Sequence, residues 1–237
     1  MTFHELARNK DNLVEQIQGW FLAVIISTSL FLFIWLVLGI ALFSLGDTLT
    51  QDTVKEPMVL LLFFGFCILG IASGIIHIVY LYKLWSIVPR KYRHITPGAA
   101  VGYLFIPIYN LYWLFHTHLE LGRNMNKTLG REKVSITLLR TWCVIYLVSN
   151  ILIDRSSGFD ISDYSDFSNT LVVIKFFINT FSIASLALYF YAIYSLKEGA
   201  LAILDYSVEA AKKEAMPQPV VSPNFHFLQN QDKGPKS

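Results

Sequence analysis

The sequence predicts an all-α integral membrane protein with four transmembrane helices, one re-entrant or interfacial hairpin broken by proline, and both termini in the cytoplasm. Three observations lead to this fold class: the composition, the long apolar windows, and the placement of Lys and Arg. Hydrophobic residues make up 54% of the 237 residues and charged residues 15%, whereas a soluble domain contains about 25% charged residues. The net charge of +2 is too small to indicate a nucleic acid partner.

Four apolar windows are long enough to span a bilayer, which takes about 20 helical residues. They cover residues 21–45, 58–81, 136–153 and 171–196. Helices are expected because every backbone amide and carbonyl in hydrocarbon needs a hydrogen-bond partner within the chain. The first window is too long for the apolar part of a signal peptide and predicts a retained signal anchor. Residues 1–20 place apolar residues at helical spacing among charges, which predicts an interfacial amphipathic helix.

The distribution of Lys and Arg decides whether the apolar run of residues 97–115 crosses the membrane or returns. The run is only just long enough to cross, and basic residues flank it on both sides. With a returning loop, 15 of the 19 Lys and Arg residues lie on the inner side, and only Lys55 and Arg155 lie outside. A crossing run gives seven inside and ten outside, which removes the usual cytoplasmic excess of positive charge. The charges therefore favour a loop that enters and leaves at the inner face.

Two prolines divide this loop. Pro97 and Gly98 predict a turn, and Pro107 interrupts any helix that runs through it. Asn110 is then the expected N-cap of a second helix, residues 111–129, which lies along the inner surface with His118 on its apolar face. The loop motif comprises Pro97, Gly98, Gly102, Pro107, Asn110, Tyr112 and Trp113.

Three stretches in and around this loop have specific sequences. They are residues 82–85 (YKLW), residues 96–115 (TPGAAVGYLFIPIYNLYWLF) and residues 121–127 (LGRNMNK). Together they resemble a family of uncharacterised bacterial multi-pass membrane proteins. The family usually has a basic residue where Ala99 stands, so a role of that charge does not carry over to this chain. The resemblance implies a bacterial inner membrane location and a shared loop, and it supplies no activity.

Polar residues within the predicted spans are candidates for a solute path, because ionisable groups are costly in a membrane. Lys175, Asn179 and Ser182 share one face of the last span with Tyr189, and His77 and Asn150 can face them. The commoner explanation of such residues is hydrogen bonding between packed helices. Both explanations stay open on the sequence alone.

The sequence offers no catalytic or metal-binding constellation. His116, His118 and Glu120 are clustered, but on a helix His116 and Glu120 share a face while His118 points away. Three ligands therefore do not converge within this segment. A zincin motif, a P-loop and a GxSxG motif are also missing from the sequence. We therefore expect no catalytic residue, no metal and no cofactor.

The end of the chain and the basic inner face complete the sequence-based expectations. Residues 197–216 predict a cytoplasmic helix that continues the last span, and residues 217–237 predict a disordered tail. The main hypothesis is a non-enzymatic protein that acts at the inner face through contacts with membrane lipids, a protein partner or a second copy of the chain. The alternative is a small-solute or ion transporter that uses the polar stripe of the last span. A membrane-surface enzyme is the third hypothesis.

Overall fold

The structure is a computed structural model that describes the backbone of residues 1–45, 57–157 and 168–215, and their side chains outside residues 38–63, 107–111, 113 and 150–182. Throughout this part of the chain the regular structure is helical, as predicted. The helices are α1 Phe3–Arg8, α2 Lys10–Leu45, α3 Pro57–Ile87, α4 Pro97–Gly102, α5 Pro107–Leu129, α6 Ile136–Ser157 and α7 Ser168–Ala215. Two 3₁₀ turns, Arg90–Tyr92 and Tyr103–Phe105, precede and follow α4. The predicted tail, residues 217–237, lies outside the described residues.

Three of these helices contain stretches long and apolar enough to cross a membrane. The stretches are Lys10–Val37, Phe64–Ile87 and Ile183–Ala215, and the apolar stretch of α6, Ile136–Ser149, is shorter. Large apolar side chains stand exposed along them, as on Ile183, which is 68% exposed. Exposed apolar surface of this extent is typical of helices that contact lipid. These features indicate a helical membrane protein, while the count of four spans stays a prediction.

Helices α2 and α3 pack side by side in opposite directions. Near the start of α2 and the end of α3, the Lys83 ammonium donates a hydrogen bond to Gln16 Oε1 at 3.0 Å. Further along the pair, Phe31 stacks on Phe66 with ring centroids 4.6 Å apart. Residue numbers that rise on one helix as they fall on the other define an antiparallel pair, which a chain returning across a membrane requires.

Helix α7 runs parallel to α3. The Tyr80 hydroxyl donates a hydrogen bond to the Ile193 carbonyl at 3.3 Å, and one turn earlier on both helices the Tyr189 hydroxyl lies 2.9 Å from His77 Nδ1. Helix α7 therefore ends at the same end of the bundle as α3.

The buried core lies at the end of the bundle where α2 begins and α3 ends, which we call the packed end. Fully buried large side chains here come from every helix of the described chain except α4, namely Leu6, Ile17, Leu84, Trp85, Leu121, Met125, Leu139, Leu196, Ile203 and Leu204. Full burial of a Leu or Ile side chain away from water contributes about 1.5–3 kcal/mol. The packed end therefore concentrates the apolar side chains that are removed from water.

The N-terminal helix α1 packs on the last part of α7. It begins with a capping box, in which Thr2 Oγ1 accepts from the Glu5 amide and the Glu5 carboxylate accepts from the Thr2 amide. Its Phe3 ring meets Tyr206 edge to face at 5.6 Å. Helix α2 begins at Lys10, whose ammonium lies 2.8 Å from the Asp205 carboxylate. The first residues of the chain thus lie beside the C-terminal part of α7.

The segment of residues 97–106 differs from the predicted turn. Thr96 caps α4, since its hydroxyl oxygen accepts from the Ala99 amide at 3.2 Å, and Pro97 and Gly98 form the first turn of that helix. The prediction of a turn at these two residues is wrong because proline at the first helical position needs no amide partner.

The start of the second helix also corrects a prediction. Helix α5 begins at Pro107, with Ile106 in the N-cap position and no side-chain cap, so Asn110 lies within the first turn and is not the N-cap. The fixed φ of proline is already suited to the first helical position, where a side-chain cap is not required. The predicted interruption at Pro107 does occur, because the chain leaves the 3₁₀ turn at Ile106 in an extended conformation.

Helix α5 runs antiparallel to α6 and lies close against it. His118 of α5 contacts Trp142 of α6, with ring centroids 5.0 Å apart. One turn later, a Cβ built on Gly122 would meet Leu139 at 2.7 Å, so the two helices approach more closely than any larger residue would allow. The end of α5 therefore lies beside the start of α6, at the packed end.

Candidate functional site

Four side chains from four helices meet in the interior of the bundle, and we call them the histidine cluster. They are His77 of α3, His118 of α5, Trp142 of α6 and Tyr189 of α7. The two imidazoles are stacked with centroids 5.5 Å apart, and the indole lies 5.0 Å from His118 and 5.7 Å from Tyr189. Each side chain thus contacts at least two others of the cluster. The rings are amphipathic, so the cluster brings polar nitrogen and oxygen atoms into an otherwise apolar region.

One side of the cluster is accessible and the other is closed. His77 and Tyr189 are partly exposed, and the hydroxyl of Tyr189 lies 2.9 Å from His77 Nδ1. His118 is 0% exposed and Trp142 is 2% exposed. The exposed part of the cluster therefore belongs to the first pair, and the second pair lies behind it.

The protonation of His118 follows from its hydrogen bond. Its Nδ1 lies 2.7 Å from the Leu114 carbonyl oxygen, and since a carbonyl only accepts, Nδ1 carries the proton and donates. Burial lowers the pKa of His118 to about 4, so the ring is neutral at pH 7. In a neutral imidazole with a proton on Nδ1, Nε2 is a hydrogen-bond acceptor.

Two buried atoms of the cluster lack a hydrogen-bond partner within the described part of the chain. They are His118 Nε2, an acceptor, and Trp142 Nε1, a donor. Buried polar side-chain atoms in folded proteins nearly always have partners, which makes such atoms informative. The cluster therefore presents one acceptor and one donor on two contacting rings.

The structure places only part of the predicted solute path. His77 belongs to the cluster, and the structure brings it together with Tyr189, which the sequence put on the facing stripe. The other four residues, Asn150, Lys175, Asn179 and Ser182, lie on α6 and α7, and their side chains are outside the described part of the structure.

The predicted loop motif is distributed over α4 and α5. Pro97, Gly98 and Gly102 lie on α4, and both glycines are exposed. Tyr112 is 62% exposed, and its ring stacks on His116 at 5.7 Å. The side chains of the remaining three motif residues, Pro107, Asn110 and Trp113, lie outside the described set.

A buried hydrogen bond ties the two helices of the loop together. The Thr117 hydroxyl donates to the Ala100 carbonyl at 3.2 Å, and both residues are 0% exposed. Thr117 directly precedes His118, so the contact with α4 also fixes the part of α5 that carries the buried imidazole.

The clustered metal-ligand candidates of the sequence point to different neighbours. His116 stacks on Tyr112, His118 lies in the histidine cluster, and the Glu120 carboxylate lies 3.7 Å from the Arg123 guanidinium. Among the described residues, no three His, Cys, Asp or Glu side chains come together in a way that could hold a metal ion.

The connection between α5 and α6 forms a second feature, which we call the basic turn, comprising Lys127, Arg131 and Lys133. Helix α5 stops at Gly130, whose φ of +64° is favourable for glycine. Asn126 then fixes the turn: its Oδ1 accepts from the amides of Lys133 and Val134 at 2.9 and 2.8 Å, and its Nδ2 donates to the Val134 carbonyl at 2.7 Å. The three basic side chains are exposed on a hydrogen-bonded frame.

A second basic segment lies after α3, and its 3₁₀ turn contacts α5. Arg90 and Lys91 are exposed there, and the Arg93 guanidinium donates to the Trp85 carbonyl at 3.2 Å. Burial, together with Arg93 and Arg90, lowers the pKa of the N-terminal amine of Met1, so positive charges accumulate near this point. The packed end thus carries several cations on both sides of the loop.

A half-buried lysine of α7 lies between two aromatic rings near the packed end. The Lys197 ammonium lies 4.8 Å from the centre of the Phe21 ring and 4.9 Å from that of Tyr194, and it pairs with Glu198 at 3.3 Å. Aromatic rings and long basic side chains combine in this way at membrane–water boundaries.

Comparison with known proteins gives no relative: no family model, no curated protein and no solved structure matches the chain. The function of the chain is therefore inferred from its own residues and contacts.

Trp142 and its contact with His118 were not predicted from the sequence. Two features of the sequence could have indicated this contact. Trp142 is an aromatic residue with a polar N–H within an apolar window, and His118 lies on the apolar face of its helix. Periodicity shows which face of a helix is buried but does not show which helix covers it.

Proposed function

We propose that this protein is a non-enzymatic, multi-pass protein of the bacterial inner membrane that acts through lipid or protein contacts at its inner face. In this proposal the chain has four spans, its loop of residues 97–115 is re-entrant, and both termini are cytoplasmic. The observation that carries it is the packed end, where exposed cations are fixed on a hydrogen-bonded frame at the basic turn. Each Lys or Arg near an anionic membrane surface is worth about 1 kcal/mol.

Contacts of the loop support the re-entrant arrangement. In the first half of α5, the ring of Phe115 lies 6.4 Å from that of Tyr146, in the middle of α6, measured between ring centroids. Near the end of α5, Asn126 donates a hydrogen bond to the Val134 carbonyl, which precedes α6. The helix thus descends along α6 towards the packed end, and the preceding basic segment after α3 lies at that end too. A loop that enters and leaves on one side has this geometry.

The contacts of the N-terminal residues with the end of α7 support a common side for both termini. In addition to Lys10 and Asp205, His4 Nε2 lies 3.0 Å from the Glu214 carboxylate. The N-terminal helix and the end of α7 therefore share the packed end, which in the proposal faces the cytoplasm, where Lys and Arg are normally enriched.

A lipid competition experiment tests the proposal. The purified protein would be exchanged between nanodiscs of phosphatidylglycerol and of phosphatidylcholine, and the retained lipids measured by mass spectrometry. The double variant Arg131→Gln, Lys133→Gln should lose about 2 kcal/mol of preference for the anionic lipid, roughly 30-fold. The matched control is Lys212→Gln, Lys213→Gln, which removes two exposed charges about 24 Å beyond Leu196 along α7.

The outcomes separate a specific surface from general attraction. The control variant should keep most of the preference, because with the last span ending at residue 196, as proposed, its charges lie more than two Debye lengths from the membrane. Equal retention of both lipids by the unchanged protein, combined with no reproducible crosslinked partner in native membranes, would end the proposal. An equal loss in both variants would show that the basic turn has no special role.

Transport is the second candidate, and the contact between His77 and Tyr189 favours it. A hydroxyl and an imidazole at 2.9 Å in a membrane bundle can pass a proton, so the proton is the ion that this pair suits. Tyr189→Phe should lower proton flux into proteoliposomes, measured with a pH-sensitive dye. Tyr191→Phe removes the same hydroxyl from a side chain that is 59% exposed and should leave the flux unchanged. Equal flux in all three proteins would remove this candidate.

A further inference from the structure

The histidine cluster contains a complementary pair of buried polar atoms that the proposed function does not use. His118 Nε2 is an acceptor, because Nδ1 carries the proton that is donated to Leu114. Trp142 Nε1 is a donor, and neither atom has a partner in the described chain. From this pair we infer that the cluster binds a neutral hydroxyl group, supplied by a water molecule or by a phenol-like ligand, which donates to His118 and accepts from Trp142.

The donor and acceptor pattern selects the hydroxyl over other groups. An ammonium group has no acceptor for the indole N–H, and a carboxylate has no donor for the imidazole Nε2. The carbonyl of a quinone would satisfy Trp142 but would leave His118 without a partner. A hydroxyl both donates and accepts, so a single group satisfies both buried atoms.

The surroundings of the two polar atoms are aromatic. Three further rings border the two buried ones: His77 at 5.5 Å from His118, Tyr189 at 5.7 Å from Trp142, and Tyr146 at 6.1 Å from Trp142. Aromatic rings at these separations pack edge to face or offset against another ring. Because these rings already touch one another, a phenol would lie beside the cluster with its hydroxyl at the two polar atoms, whereas water requires only those two atoms.

Access is available from one side. His77 and Tyr189 are partly exposed, whereas His118 and Trp142 are not. An aromatic alcohol dissolved in the membrane would therefore meet the accessible pair first and present its hydroxyl to the buried pair.

Nuclear magnetic resonance of the unchanged protein tests the inference directly. Protein with ¹⁵N-labelled histidine, reconstituted in nanodiscs, reports whether Nε2 of His118 accepts a hydrogen bond, because acceptance moves the resonance of an unprotonated ring nitrogen upfield. His118→Phe assigns the signal by its loss. We expect a hydrogen-bonded Nε2 in the presence of the hydroxyl source. This result is measured on the unchanged protein, so it does not require a variant to bind the ligand.

A pair of probes of nearly equal shape separates the two sources. p-Cresol carries a hydroxyl where p-xylene carries a methyl group. If water is the source, Nε2 is hydrogen-bonded without any probe and exchanges magnetisation with water. If the site takes a phenol, p-cresol moves the Nε2 signal and p-xylene does not. Either result supports the inference and identifies the source.

Variants provide the matched control. Calorimetric affinity for p-cresol should fall at least tenfold in Trp142→Phe and in His118→Phe, and stay within twofold in His116→Phe, whose ring contacts Tyr112 instead. If p-cresol binding is not measurable in the unchanged protein, the inference is tested by the hydrogen bond between water and Nε2 alone. An Nε2 resonance typical of a nitrogen without a hydrogen bond, with and without p-cresol, would overturn the inference. A hydrogen bond that vanishes in Trp142→Phe without exchange with water would also overturn it, because the indole would then bond the imidazole directly.

Discussion

Asn126 offers the sharpest test of how the packed end is held together. Its amide side chain makes three hydrogen bonds across the basic turn: it accepts from the backbone amides of Lys133 and Val134, and it donates to the Val134 carbonyl, at 2.7 to 2.9 Å. Val134 is 0% exposed, so its backbone groups have no ready access to water. Asn126→Ala should therefore remove three partners at once from the connection between α5 and α6.

The expected cost follows from the number of bonds. A hydrogen bond contributes about 1 kcal/mol net, and a buried group left without a partner costs about 1–3 kcal/mol. We therefore expect Asn126→Ala to lower the free energy of unfolding by about 2–4 kcal/mol. Asn126→Asp keeps the acceptor and loses the donor to Val134, so its loss should be smaller.

Denaturant unfolding in detergent micelles, followed by helical circular dichroism, measures this loss. Hydrogen exchange at the Lys133 and Val134 amides locates it. The control is Asn9→Ala, which removes a single exposed bond of 3.1 Å to the Glu5 carbonyl and should cost less than about 1 kcal/mol. The reasoning is refuted if Asn126→Ala costs no more than Asn9→Ala, or if exchange at the two amides is unchanged.

Two further measurements test the packing and the pH dependence. Gly199→Leu should lower stability by about 1–3 kcal/mol, because even a Cβ there would clash with Val134 and lie 3.0 Å from Met125 Sδ; Gly98→Leu is the control, with nothing within 4 Å of its Cβ. Lowering the pH below about 6.5 should weaken folding, because burial lowers the pKa of His118 to about 4 and the unfolded chain then binds the proton more tightly. The part of this loss due to His118 should approach about 3 kcal/mol near pH 4, and His118→Phe should remove that part. Equal damage from both glycine variants, or a pH profile unaffected by His118→Phe, would contradict these expectations.

The helices themselves were predictable because their signal is local. Long apolar windows require helices in a membrane, and the described backbone is helical throughout those windows. The helix starts were harder. Asn110 is a good N-cap by residue type, yet α5 begins three residues earlier, since Pro107 suits the first helical position without any side-chain cap. A favourable cap residue does not fix a boundary when a nearby proline starts the helix by its own geometry.

The histidine cluster was less predictable because its contacts join distant parts of the chain. The sequence indicates that His118 lies on an apolar face and that Tyr189 shares a stripe with other polar residues. It does not indicate that His118 contacts both His77 and Trp142, since those contacts depend on how α5 packs against α6 and α7 and brings His118 to His77 of α3. Hydropathy treats the indole of Trp142 as one more apolar side chain, although its N–H is a buried hydrogen-bond donor.

The packing of α5 explains why the end of this helix is held in a fixed position. Thr117 bonds to α4, His118 contacts α3 and α6, and Met125 lies against Gly199 of α7. A helix held on three sides keeps its end in place, and the basic turn begins at that end. A flexible polybasic segment would attract anionic lipid by charge alone, and any arrangement of its charges would serve. Charges on a fixed turn have set separations. Moving one Lys of the basic turn by a single residue should therefore weaken the proposed binding of anionic lipid, even though the net charge stays the same.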